Sequence, residues 1–174
     1  GVADQVFHFL LDRFRAWYAD EGVDSAVFQS VLALKPSRPL DFDRRIQAVQ
    51  RFIEQPEASA LAAANKRVSN LLDKQGGDEE TAPIKNELLQ EKEEQKLQQA
   101  LVDIEIEVAP LFTEGQYTEG LLALAKLRGP VDEFFDQVLV MTDDAALRSN
   151  RLALLDRLRQ LFLKAADISH LHKG

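Results

Sequence analysis

The chain has 174 residues, no cysteine and a formal net charge of −8. That length builds one good core or two tightly joined bundles, and the missing cysteines exclude disulfides and thiolate chemistry, which fits a reducing compartment. No stretch is long and apolar enough to cross a bilayer, no secretory signal is visible, and the three histidines show no HExxH or other metal-ligand spacing. The chain starts at Gly1 and enters a helical pattern almost at once. It reads as a piece of a longer polypeptide working in the cytoplasm.

In chain order, Phe7, Leu10, Leu11, Phe14 and Tyr18 recur at helical spacing over Val6–Ala19, and Gly22 ends that helix. Asp24 or Ser25 can cap a short helix over Ala26–Leu34. Lys35–Pro39, with two prolines, is a connector. Asp41 can cap the next helix, which runs to about Gln55 with Ile46, Val49, Phe52 and Ile53 inward. Pro56 suits the first turn of the fourth helix. Gln75–Pro83, with its glycines, acids and proline, is the clearest linker. A long helix follows, from about Ile84 or Leu88 to Phe112, with Leu97, Leu101, Ile104 and Val108 as its stripe, and Gly115 breaks it. Tyr117–Leu127 is shorter; Gly129 closes it, and Pro130 opens the next, with Val131, Phe134, Phe135 and Val138 on one face. Asp143 or Asp144 caps a last helix to about Asp167, after which the chain frays. The pattern predicts an all-α bundle of seven or eight helices and no sheet, with residues 2–172 as one domain.

The segment Ala60–Lys74 has two faces. At about 100° per residue, Leu61, Ala64, Val68, Leu71 and Leu72 share one arc of about 100° and must be buried. Ala63, Lys66, Arg67 and Asn70 share an opposing arc. A lysine and an arginine can meet phosphates, and an asparagine can pair with a base edge. A small residue among them keeps bulk away from a flat partner. The same spacing also describes a plain solvated surface. Asn65 and Ser69, between the faces, are placed to hold backbone.

Arg151 projects into the middle of the apolar stripe of the last helix, formed by Leu147, Leu154, Leu155, Leu158, Leu161, Phe162 and Ala165. A guanidinium there needs a carboxylate or carbonyl, or a stem long enough to reach water. Asp132 and Asp136 are the candidate partners, and contact with nucleic acid is the other reading. Arg148 lies at the edge of the stripe and is more available. Arg128, before Gly129-Pro130, stands at a helix end that favours a cation. Phe134 and Phe135 point about 100° apart; core packing is the plain reading, and an exposed one could stack on a base. Asp41, Asp43, Asp143 and Asp144 are explained as capping groups, and no catalytic constellation or phosphate-binding glycine loop is present.

The net charge does not exclude an RNA partner, because it is localised. Asp78–Glu107 holds ten acidic and three basic residues, so most of the excess sits on one stretch and a neutral or positive face elsewhere is possible.

Three blocks together carry a family resemblance: LDFDRR at Leu40–Arg45, ANKRVSN at Ala64–Asn70, and GPVDEFFDQVLVMTDDAALRSNRLALL from Gly129 to Leu155, with ADIS at Ala166–Ser169 near the end. They resemble the C-terminal region of the beta subunits of bacterial glycyl-tRNA synthetases, a region similar to the helical anticodon-binding domain of arginyl- and other class I synthetases. That domain takes its name from an Asp-Ala-Leu-Arg motif. Here Asp144-Ala145-Ala146-Leu147-Arg148 carries one additional alanine.

The resemblance implies a module that grips the anticodon stem-loop of tRNA(Gly) and has no catalysis of its own. It implies glycine attachment driven by ATP in the full enzyme, with no cofactor in this region. The implied partners are the tRNA, the rest of the beta subunit and the alpha subunit. The expected RNA-facing residues are Lys66, Arg67, Asn70, Arg128, Arg148 and Arg151, with Arg13, Arg44 and Arg45 as lesser phosphate contacts. The acidic stretch is expected on the far side from the RNA, and the linker Gln75–Pro83 away from it. A helical protein-interaction or subunit-docking domain without direct RNA contact is the alternative, whose mark would be an exposed apolar patch.

Overall fold

The computed structural model describes residues 1–75 and 82–172. These form eight α-helices, as the periodicity predicts: α1 Val2–Asp20, α2 Ser25–Leu32, α3 Pro39–Ile53, α4 Ala58–Lys74, α5 Lys92–Thr113, α6 Tyr117–Leu124, α7 Arg128–Gln137 and α8 Ala145–Leu163. Three 3-10 turns lie at Asn86–Leu88, Ala125–Leu127 and Ile168–Leu171. Most of the linker expected at Gln75–Pro83 lies outside the described residues.

The core is built around α8. Both its predicted stripe and the intervening Asn150, Arg151, Leu152 and Ala153 are buried, so the middle of the helix is enclosed on nearly every side. It packs on α4 and α5, and Phe162 meets Phe52 of α3. Asp144 caps it by accepting from the N–H groups of Ala146 and Leu147, and Asp24 caps α2 through Ala26 N–H. Gly22 and Gly115 follow α1 and α5 with positive φ, a conformation that suits glycine.

Several boundaries depart from the sequence reading: α4 begins at Ala58, so Pro56 precedes it, α8 ends at Leu163, and four further departures have a local reason. α3 begins at Pro39, not after an Asp41 cap. Asp41 lies in the first turn, and its carboxylate accepts from Arg45 Nε at 2.8 Å and from the Tyr117 hydroxyl of α6. Arg45 also donates to the carbonyls of Lys164 and Ala165 at the end of α8 and lies over the Tyr117 ring, so one network ties α3, α6 and the end of α8. α5 begins at Lys92 rather than near Ile84 or Leu88. Asn150 of α8 bonds both backbone groups of Lys85 and so ties the approach to α8, and Glu94 closes a capping box on Glu91 N–H.

Gly129 and Pro130 make no break: α6, a 3-10 turn and α7 follow without interruption, and both residues sit in the first turn of α7. First-turn N–H groups have no helical partner, so proline is tolerated there. Nor does the described segment after α8 fray as expected. Asp167 N–H donates to Ser30 O at 2.8 Å, its carboxylate accepts from Ser169, and Ile168 is buried against α2 and α4.

The predicted partner search for Arg151 resolves onto α5. Arg151 Nε donates to Glu94 Oε1 at 2.8 Å, and its Nη1 donates to Leu139 O at 2.7 Å. The Glu94 side chain is fully buried and that of Arg151 nearly so. Asp132 and Asp136, the expected carboxylates, are exposed on α7.

Removing one member of such a pair leaves a buried charge without a partner. Glu94→Ala is expected to cost about 3–5 kcal/mol in chemical denaturation, whereas Glu133→Ala on the exposed side of α7 stays within about 0.5 kcal/mol. Burial alone would raise the Asp41 pKa, but the Tyr117 and Arg45 hydrogen bonds outweigh it and hold it below its ordinary 3.8. A lowered folded-state value means stability present above that ordinary value and lost as pH falls through the folded one. Asp41→Asn should therefore lower the unfolding midpoint at neutral pH, with the gap to wild type closing below about pH 4.

Candidate nucleic-acid interface

α4 presents the two faces that its spacing predicts. Leu61, Ala64 and Val68 are buried and Leu71 and Leu72 partly so, while Lys66, Arg67 and Asn70 are exposed. Asn65 is buried and its amide donates to Leu61 O at 3.0 Å, the backbone-holding role that its position implies. Lys66 and Asn70 form no hydrogen bond or ion pair among the described residues, so their polar groups are open to a ligand.

Arg67 has a platform that α4 alone could not reveal. Its guanidinium lies over the Phe135 ring, 4.4 Å from the centroid. Phe134 goes to the core and Phe135, about 100° round α7, stays half-buried. A planar cation on a ring gains roughly 0.5–1 kcal/mol at an exposed site, and the contact holds the long arginine chain against α7.

Beside this pair lies a cleft of about 360 Å³, lined by Arg67, Leu71 and the run Phe135–Met141. α7 ends at Gln137, and Val138 turns extended. From there the side chains alternate: Val138 and Val140 are buried, and Leu139 is 69 % exposed. Met141 is exposed as well. In the sequence this is only the apolar run Val138-Leu139-Val140, which cannot be separated from the end of a helix by periodicity.

The remaining predicted cations divide. Arg148 is half-buried, and its Nη1 donates to Thr142 O at 2.9 Å. It therefore braces the turn before α8 and keeps part of its edge accessible. Arg128 opens α7 instead of ending a helix. The dipole does not favour a cation there; the side chain is held by Asp132 and Pro56 O, each at 3.4 Å. Arg151 is sequestered with Glu94 and does not face solvent, so the ion-pair reading holds for it. Of the lesser candidates, Arg45 is committed to carbonyls and the Tyr117 ring, Arg13 lies over Phe9, and Arg44 is exposed.

The acidic stretch is not confined to the far side. Asp136 and Gln137 line both the Arg67 cleft and an adjoining depression bordered by Glu91, Glu93 and Glu133, so the start of α5 comes close to the site through α7. Further along α5, Glu105 and Glu107 are paired with Arg157 and Lys126.

A cationic helix face, an arginine layered on a ring and a neighbouring cleft of mixed polar and apolar lining can together take phosphate, base face and base edge. Residues 61–170, which span α4 to the last turn, match the family model of the DALR anticodon binding domain. The chain belongs to the DALR anticodon-binding family. It is similar to proteins named glycine–tRNA ligase beta subunit: 53 % identical over 169 residues to that of Marinobacter nauticus, 57 % over 169 residues to that of Pseudomonas aeruginosa and 52 % over 169 residues to that of Edwardsiella ictaluri. Each match covers 97 % of this chain and 24 to 25 % of the relative, so the chain spans about a quarter of their length.

The stretch that stands for the DALR motif performs local architecture here: Asp144 caps α8, Leu147 is buried and Arg148 holds Thr142 O. The extra alanine is accommodated because Ala145 and Ala146 sit exposed in the first turn of α8.

The adjacent arginines Arg44 and Arg45 provide a contrast in this DALR domain. Arg45→Ala strips a donor from two carbonyls and is expected to cost about 1–3 kcal/mol in denaturant unfolding, whereas Arg44→Ala stays within about 0.5 kcal/mol.

Proposed function

We propose that residues 2–172 form a single anticodon-arm-binding module of a glycine–tRNA ligase beta subunit. The face made by Lys66, Arg67, Asn70 and the Phe135–Met141 cleft receives the anticodon loop of tRNA(Gly). The observation that carries this reading is the Arg67 guanidinium seated on Phe135 beside two polar side chains with no partner among the described residues. A stacked guanidinium is held in place before binding, so little side-chain freedom is lost when a base or phosphate arrives. Leu139 and Met141 offer apolar contact to a base face, and Asp136 and Gln137 can read base edges. Lys66 supplies phosphate contact. Arg148 and Arg128 serve at the margins of the face, and Arg151 acts beneath it as a support.

In this reading the chain performs no chemistry. Glycine, ATP and the acceptor end of the tRNA are handled elsewhere in the parent enzyme, which works in the cytoplasm as a complex of alpha and beta subunits. The module contributes affinity and orientation at the far end of the tRNA. At a net −8, the domain gains little from long-range attraction to phosphates; contact geometry has to supply the binding, and the parent enzyme is the proper test object.

The experiment compares tRNA(Gly) binding by the full enzyme with that of Lys66→Ala, Arg67→Ala and Asn70→Ala variants across a salt series. Each variant should weaken binding, and Lys66→Ala should also reduce the slope of log K against log salt by about 1. Unchanged affinity in all three would show that the RNA lies on another face.

A further inference from the structure

α1 carries an apolar stripe that the other described residues leave largely uncovered. At about 100° per residue, Val6, Leu10, Phe14 and Trp17 fall within one arc of about 80°. Their exposures run from 39 % at Phe14 to 53 % at Trp17. Tyr18, from the neighbouring arc, is buried against Phe28 and Phe42, and α1 meets the bundle chiefly through α2. A helix in a folded protein draws most of its stability from packing an apolar face. Here much of that face is turned to water, and contiguous apolar patches of this kind mark interaction sites.

The stripe adjoins a groove. Leu10, Leu11, Phe14 and Tyr18 form one wall, and Pro36, Ser37, Arg38, Pro39 and Phe42 form the other. The groove is apolar and has a volume of about 140 Å³. Arg13, over Phe9, borders the stripe on one side, and Arg38 lines the groove on the other. An apolar centre with cations at its margins has the layout of a protein interface.

The matched relatives are about four times as long as the region this chain spans. The stripe advances by four, four and three residues, the spacing of a helix packed along another helix. We propose that the Val6–Trp17 stripe and the groove beside it seat an apolar helix from the remaining three quarters of the full-length polypeptide. This contact fixes the anticodon-binding domain to the body that carries it. It stands apart from the RNA reading: none of its residues belongs to the α4 face.

The test uses the full-length beta subunit in its native assembly. A benzophenone amino acid replaces Leu10, and the photo-crosslinked peptides are mapped by mass spectrometry, with the same probe at exposed Ile106 of α5 as a control. Crosslinks from position 10, absent from position 106, to a helix of the same polypeptide outside this 174-residue region are expected. In parallel, Leu10→Asp with Phe14→Asp should speed amide exchange along α1 about tenfold or more in the full-length protein while α3 to α8 keep their protection. Crosslinks to α1 of a second copy, crosslinks to a different protein chain, or no crosslink together with unchanged α1 exchange would each overturn the proposal.

Discussion

The position of the candidate interface depends on the buried pair Glu94–Arg151. Each partner is satisfied from more than one direction. Glu94 Oε1 accepts from Arg151 Nε, and its Oε2 accepts from Glu91 N–H. Arg151 spends Nη1 on Leu139 O. One desolvated charge pair therefore joins the first turn of α5, the middle of α8 and the extended segment after α7. Neighbouring Asn150 joins α8 to Lys85 as well. A buried ion pair need not stabilise a fold relative to an apolar alternative, but it penalises every arrangement in which one charge is left alone. Sliding the Val138–Met141 segment along α8 would strip Arg151 of its carbonyl, so Leu139 and Met141 are held beside Arg67.

The same logic explains how an acidic chain presents a cationic face. Several arginines are already committed: Arg45 to carbonyls and the Tyr117 ring, Arg157 to Glu105 at the surface, and Arg151 to buried Glu94. The acids they engage are no longer free to repel phosphate at full strength. Among the described residues Lys66 and Asn70 have no partner and Arg67 has only a ring, which leaves its hydrogen-bond donors open. Net charge is thus a poor guide to this surface, because it counts internal pairs and exposed groups alike.

Much of this was legible in the sequence where one helix decides the outcome. The two arcs of α4 follow from 100° spacing, and so does the burial of the α8 stripe. Arg151 announces itself as an anomaly within that stripe. Its partner does not, since Glu94 is 57 positions away and is selected by how α5 packs on α8; nearer Asp132 and Asp136 looked equally able. The α5 boundary failed for a related reason. Ile84, Leu88 and Leu89 fit a helical pattern, yet the Lys85 backbone is bound by the Asn150 side chain. At Gly129-Pro130 the breaker residues were read correctly as disfavouring a helix interior and wrongly as a break, because their cost vanishes in a first turn. The Phe135–Arg67 stack joins two helices and has no signature within either.

The two exposed surfaces of the molecule differ in chemistry, and that difference constrains how the domain can work. The α4 face is polar, with small residues at Ala60 and Ala63 that admit a flat partner and donors that remain hydrated until one arrives. Water competes well there, so the contact is readily reversible and suits a ligand that must leave each cycle. The α1 stripe is aromatic and aliphatic, and water competes poorly for it. A surface of that kind favours a lasting partner, since re-exposing it costs free energy at every dissociation. On the proposed assignments the transient contact lies on α4, in the network of α7, α8 and α5, and the lasting one on α1, which packs on α2 and, through Tyr18 on Phe42 and Asp43, on α3.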